Sequence, residues 1–209
     1  LNENGNNELV IIPNLPQQER ELKEITIEID GMNHRTIKRN LISAYLNDYS
    51  TVRLSGKDVG NHAKEIRDTI QNLMALEITE QTKDLIVTQD FLNMADILLS
   101  DLIRKMDIIT RAMIGDLPLC FDQDLSANIY HREQDVSRMS FVILRAVRRG
   151  LHDPEYTKRL KLTALQLFEL WNISTQIDSI ADNLCDLSSL CVANNNLPSK
   201  EKALAQQFC

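Results

Sequence analysis

Leu170, Ile173, Ile177, Ile180, Leu184, Leu187 and Cys191 recur at alternating spacings of three and four residues. That period marks one face of an α-helix. A long helix with such a seam must lay it against other helices, so the pattern calls for a bundle. Upstream the reading continues. Residues 91–115, 124–150 and 155–194 form three long helical stretches, separated by "GDLPLCFDQD" and "GLHDPE", where Gly and Pro act as punctuation. Connections this short favour antiparallel neighbours, which predicts an antiparallel three-helix bundle with a C-terminal tail over residues 91–209.

Before residue 91 the period changes. "EITIEID" (24–30) alternates apolar and polar residues, the pattern of a half-buried strand. A helix is expected over 34–48, with Ile37, Leu41, Ile42 and Tyr45 at helical spacing, and a second strand over 50–56. A second helix follows over 60–75 through Ile66, Ile70 and Leu73, then two strand segments around a polar turn over 76–90. The order β-α-β-α-β-β predicts a small α/β domain of βαβαβ type over residues 18–90, with two helices on one face of a sheet. Residues 1–17 hold a short strand-like run, Leu9–Ile12, between Asn/Gly-rich and Pro-rich stretches, and read as the end of one element plus a linker. The fold class expected is mainly α with an N-terminal α/β part.

A chain of 209 residues with net charge −7 is not, as a whole, a nonspecific nucleic-acid binder, because phosphate contacts need concentrated Lys and Arg. No apolar run reaches the roughly 18–20 residues that span a bilayer, and no basic-then-apolar leader is present. Cys120, Cys185, Cys191 and Cys209 lack metal-finger or CxxC spacing, so reduced thiols in a cytoplasmic protein are expected. A chain that opens on Leu1 reads as a fragment or processed form.

Asp178 and Asp182 lie one turn apart in "DSIADNLCDLS" (178–188), on a small, polar face with Ser174, Thr175, Cys185 and Ser189. By the helical wheel they point well away from the seam, toward the bundle's outside. Spacing alone leaves two readings open, a solvated face or half of a site for a hard or borderline metal. Glu133 is different: it falls among Ile129, Val136, Ile143 and Val147, with Ser137 and Ser140 nearby. A carboxylate there must be paired, hydrogen-bonded or bound, since burying it bare costs several kcal/mol. It would reach an Arg, escape to the edge, or hold a ligand. His131 and Asp135 read as surface residues, and Arg145, Arg148 and Arg149 as cations that suit a helix C-terminus, with a protein-docking patch second. No nucleophile–base arrangement, phosphate-cradling Gly loop or ExxH signature appears, so no enzyme is expected.

"DSIAD" (178–182) and "EQDVSRMSFVILR" (133–145), on helices in this order, resemble the PhoU family of phosphate-uptake regulators, whose motif is an acid, three residues and Asp. "DNLCDLS" is similar to that family's Asp-His-Ala-Val-Asn-Ile-Ala run, with Asn183 in the His place and Asp186 in the Asn place. Glu133 takes the first acidic place of the other copy, and Ser137 stands where Asp is usual. "ENGNNELVIIP" (3–13) looks like the final strand of an AbrB-like DNA-binding domain. The resemblance implies a homodimeric, non-enzymatic regulator of phosphate homeostasis that contacts a phosphate transporter ATPase or a signalling protein. It also implies iron or zinc on Asp178, Asp182 and Glu133, with Asp186 a lesser candidate. Two other readings stand beside it. One is a transcriptional regulator that touches DNA only through a missing N-terminal domain, and the other a carboxylate-bridged metalloenzyme.

Overall fold

The structure, a computed structural model, describes residues 2–4, 8–10, 23–94 and 97–193. Two short strands, β1 (Asn2–Asn4) and β2 (Glu8–Val10), pair antiparallel with Asn2 opposite Val10. The rest of the expected linker over 1–17, and of the C-terminal tail, lies outside the described residues.

A four-stranded mixed sheet follows, built from β3 (Glu24–Glu28), β4 (Thr51–Ser55), β5 (Leu76–Gln81) and β6 (Leu85–Asp90) in the order β3-β4-β6-β5. β3 and β4 are parallel, joined through α1 (His34–Leu46), as a parallel pair requires a crossover. α2 (Ala63–Gln71) links β4 to β5, and β5 turns back into β6 as a hairpin with a register shift between Ile78 and Glu80. The α1 N-terminus is fixed by Asn33, whose side chain accepts from Thr36 N at 2.9 Å. Ile27 and Ile29, two residues apart, are both buried, as the alternation in "EITIEID" predicts.

The remainder is helical: α3 (Leu99–Asp116), a 3-10 turn (Leu117–Phe121), α4 (Ser126–His152), α5 (Pro154–Leu160) and α6 (Ala164–Ala193). α3, α4 and α6 each pack against the other two, and the buried apolar residues from Ile27 to Cys191 form one continuous core. The protein is therefore mainly helical, with a small mixed sheet in its N-terminal part. Among the described residues no helix is long and apolar enough to cross a membrane.

Two boundaries differ from the sequence reading. Gly150 is no punctuation: α4 runs through it, and it is buried where a Cβ would come within 2.4 Å of Leu167 Cδ1. The glycine makes room for α6, and the helix stops instead at Asp153, held extended before Pro154. The expected helix over 155–194 is two helices. Lys161, at φ 54°, ends α5 in the left-handed region. Thr163 and Gln166 then start α6 as a capping box: Thr163 N donates to Gln166 Oε1 at 2.9 Å, and Gln166 N donates to Thr163 Oγ1 at 3.2 Å.

The structure also turns α6 relative to its apolar seam. Its buried positions at seven-residue intervals are Leu167, Ser174, Ala181 and Ser188. Ile173, Ile180 and Leu187 of the seam are each 46% exposed, while Leu184 and Cys191 are buried. Small side chains at the contact let two helices approach closely, and bulky Ile or Leu there would hold them apart.

Candidate functional site

Because α6 presents Ser174, Ala181 and Ser188 inward, the neighbouring position Asp178 faces α4 and is half-buried. The outward placement expected of it is corrected accordingly. Ser137, on α4, has its Oγ 2.9 Å from Asp178 Oδ1 and 2.9 Å from Glu133 Oε1. Asp182, one turn beyond Asp178, is exposed but near enough to Glu133 for its charge to act there. The three acids named from sequence thus come together along the α4–α6 groove. Asp186 faces solvent. Among the described residues Glu133 neither reaches an Arg nor escapes to the edge; its hydrogen-bond partner is the Ser137 hydroxyl.

The hydrogens constrain this group. A serine hydroxyl has one hydrogen, so Ser137 can donate to only one of its two carboxyl neighbours. The other carboxyl must carry a proton and donate to Ser137 Oγ for both contacts to be hydrogen bonds. Electrostatics agrees. Burial pushes Glu133 above the usual carboxylate range; Ser137 works against this, and the charges of Asp182 and Asp178 add to it. Burial likewise raises Asp178, opposed by Ser137 and Ser140 and reinforced by Asp182. Burial also lifts the Cys185 thiol, with Glu133, Asp186 and Asp182 adding to the effect. Among the described residues none of Glu133, Asp178 and Asp182 makes an ion pair with Lys or Arg. In this arrangement burial and mutual repulsion favour the protonated forms of Glu133 and Asp178.

The donor set is all oxygen, the type hard cations prefer. Yet among the described residues no three His, Cys, Asp or Glu side chains stand so as to hold one ion. The residues as placed do not fit iron or zinc without side-chain movement.

A second constellation escaped the sequence reading. Arg145 is fully buried and not a helix-end cation. Its Nε donates to Asp48 Oδ1 at 2.6 Å, a second guanidinium nitrogen donates to Asp90 Oδ2, and the group lies 4.5 Å over the Tyr45 ring. Asp48 follows α1 and Asp90 ends β6, so one side chain of α4 ties the helical part to the sheet part. Burial alone would lower the Arg145 pKa, but Asp90 and Asp48 outweigh it and raise the value. Burial pushes the Tyr45 hydroxyl up to about 12, with Arg145 opposing. The miss has a cause: α4 packs against α1, α3 and α6 together, so residues off its main apolar face are buried as well.

A cleft of about 690 Å³ also lies between α4 and the α2–β5 region, lined by Arg67, Asp68, Glu77, His131, Asp135 and Arg138. His131 and Asp135 are exposed, as expected. Charges of both signs face the cleft, and among the described residues the shielded Arg138 Nε finds no hydrogen-bond partner. Compared with known proteins, the chain matches no family model, no curated protein and no solved structure.

Proposed function

We propose that this protein is a non-enzymatic regulator of phosphate uptake of the PhoU kind, acting through contacts with a transporter ATPase or signalling protein. In this reading α3, α4 and α6 are an antiparallel three-helix bundle, and the carboxylate cluster is its responsive element. One observation carries it: Glu133 of "EQDVS" and Asp178 of "DSIAD", the two stretches that resemble the PhoU motif, meet at Ser137 across α4 and α6. The test is phosphate uptake in cells with the gene deleted and with Asp178→Asn in its place. Altered uptake in both is expected; unchanged uptake on deletion sinks the proposal.

A second reading, that the cluster takes up iron or zinc, is favoured because among the described residues the three neighbouring acids have no Lys or Arg partner. It requires Glu133, Asp178 and Asp182 to turn toward one ion. Metal content of purified protein separates the two, compared with Asp178→Ala and Asp182→Ala. Equal metal in all three removes the ion and leaves the regulator standing.

A further inference from the structure

The d and g positions of α6, in heptad terms, carry an apolar stripe that its own protomer leaves half open. Ile173, Ile180 and Leu187 are each 46% exposed and Leu190 58%, with Leu170 and Ile177 half-buried alongside. We propose that this stripe docks a second copy of the chain, α6 against α6, antiparallel and centred on Ile180. The inference rests on the regulatory reading, whose resemblance implies a homodimer, and adds which face pairs: one distinct from the face that carries the carboxylate cluster.

Three observations choose the occupant. The first is sequence symmetry about Ile180. Ile173 and Leu187 lie equally far before and after it, and so do Leu170 and Leu190. Ile177 and Leu184 are offset by a single residue. Two copies related by a two-fold axis through Ile180 therefore set each apolar side chain against another, which is the self-complementarity an isologous contact requires. The three–four spacing itself produces this symmetry, so the stripe meets its own copy in register when the two run antiparallel.

The second is charge. α6 contains no Lys or Arg, and its acids within the stripe's length are Asp178, Asp182 and Asp186. At about 100° per residue all three lie roughly 100° or more around the helix from the Ile173–Ile180–Leu187 line. The stripe is neutral and flanked by Gln176 and Asn183. A charged partner finds nothing to complement there, whereas a second copy meets no repulsion and pairs amide with amide.

The third is area. The exposed parts of Ile173, Ile180, Leu187 and Leu190 amount to roughly 400 Å² of apolar surface, as large as the main patch on many monomers. With Leu170, Ile177 and the amide rim the contact reaches roughly 600–800 Å² per partner, near what a specific complex needs. Asp178 and Asp182 stay outside it, so this pairing supplies no ligand to the carboxylate cluster.

The full chain tests this by sedimentation, with helicity followed by circular dichroism. Wild type is expected to run as a dimer at micromolar concentration. Ile180→Glu sets two carboxylates against each other at the axis and is expected to weaken association at least ~100-fold, since like charges across an interface cost several kcal/mol. Ile180 is half exposed in the protomer, so helicity should hold. As a geometric check, Ile180→Cys is expected to form an oxidised covalent dimer beyond the wild-type background, while Thr175→Cys, on the far side of α6, is not. A wild-type monomer at tens of micromolar overturns the proposal. So does a dimer that Ile180→Glu leaves intact, or equal cross-linking of the two cysteine variants.

Discussion

Replacing Arg145 with Met removes a side chain that links α4 to both the turn after α1 and the end of β6, and leaves the volume nearly filled. Its effect follows from burial. The Asp90 side chain is 0% exposed and the Asp48 side chain 24%. Without the guanidinium, Asp90 is a buried carboxylate that has lost its cationic partner, while Leu92 N still donates to its Oδ1 at 2.8 Å. Asp48 can turn to water. Breaking a buried pair by removing one partner costs about 3–5 kcal/mol, nearly all of it here from Asp90. For a chain of this size that corresponds to a fall in Tm of roughly 6–20 °C. Asp48→Asn, which leaves a neutral acceptor at a partly wet position, should cost about 1 kcal/mol. The informative variant is the double one. Asp90→Asn in the Arg145→Met background removes the stranded charge and keeps an acceptor for Leu92 N, so it should recover most of the loss. Urea denaturation of wild type, Arg145→Met, Asp90→Asn and the double variant reads this out through the midpoint at constant slope. A single variant within 1 kcal/mol of wild type, or Asp90→Asn costs that simply add, would refute the claim that the guanidinium neutralises Asp90.

The glycines of the long helices should respond in opposite directions. Gly115→Ala meets nothing within 4 Å and should stabilise by about 0.5–1 kcal/mol, while Gly150→Val drives its side chain into Leu167 and Thr157 and should destabilise by about 1–3 kcal/mol, both by chemical denaturation. Thr163→Ala deletes half of the α6 capping box and should cost about 1 kcal/mol; no change would mean that α5 and α6 are set by packing alone. Glu133 and Asp178 have raised folded-state pKa values, so the folded protein binds more protons than the unfolded chain above the ordinary carboxylate pKa. Stability must then fall as pH rises from that pKa through the raised value, and Glu133→Gln with Asp178→Asn should flatten that slope and be the more stable form at pH 7. A wild-type stability that climbs over this range more steeply than the variant's contradicts the shared-proton arrangement.

Period-2 alternation in "EITIEID" and helical spacing in 34–48 were sufficient to place β3 and α1, because each of those elements buries one face against one layer. α4 was harder to read. It packs on three sides, so its apolar face marks one neighbour and hides the rest, and Arg145 reads as a helix-end cation until its two carboxylates are found far away in sequence. Such pairings, between α4 and residues of the sheet part, have no local signal. The break at Lys161 is equally silent, since a left-handed Lys carries no compositional mark. "TALQ" after it does carry one, the Thr-x-x-Gln of a capping box, and it would have divided the helix correctly.

The α6 seam and the carboxylate cluster have one physical origin. A helix with Ile and Leu at one stripe and Ser, Ala and Ser at the adjacent one offers neighbours two faces, and hydrophobicity ranks the first above the second. Packing ranks them differently, because α4 gains more contact from a helix that comes close than from one held away by branched side chains. With Ser174, Ala181 and Ser188 inward, the helices approach closely enough for Ser137 to touch Asp178 across the groove. The same rotation turns Ile173, Ile180 and Leu187 outward. Enlarging the small stripe should therefore disturb both features together. Ala181→Leu would push α6 away from α4, separate Ser137 from Asp178 and abolish the raised carboxylate titration that NMR of the Glu133 and Asp178 side chains would follow. It should also weaken self-association without touching the Ile180 face. A variant that loses the titration shift but dimerises as tightly as wild type would show that the rotation of α6 is not what couples the two faces.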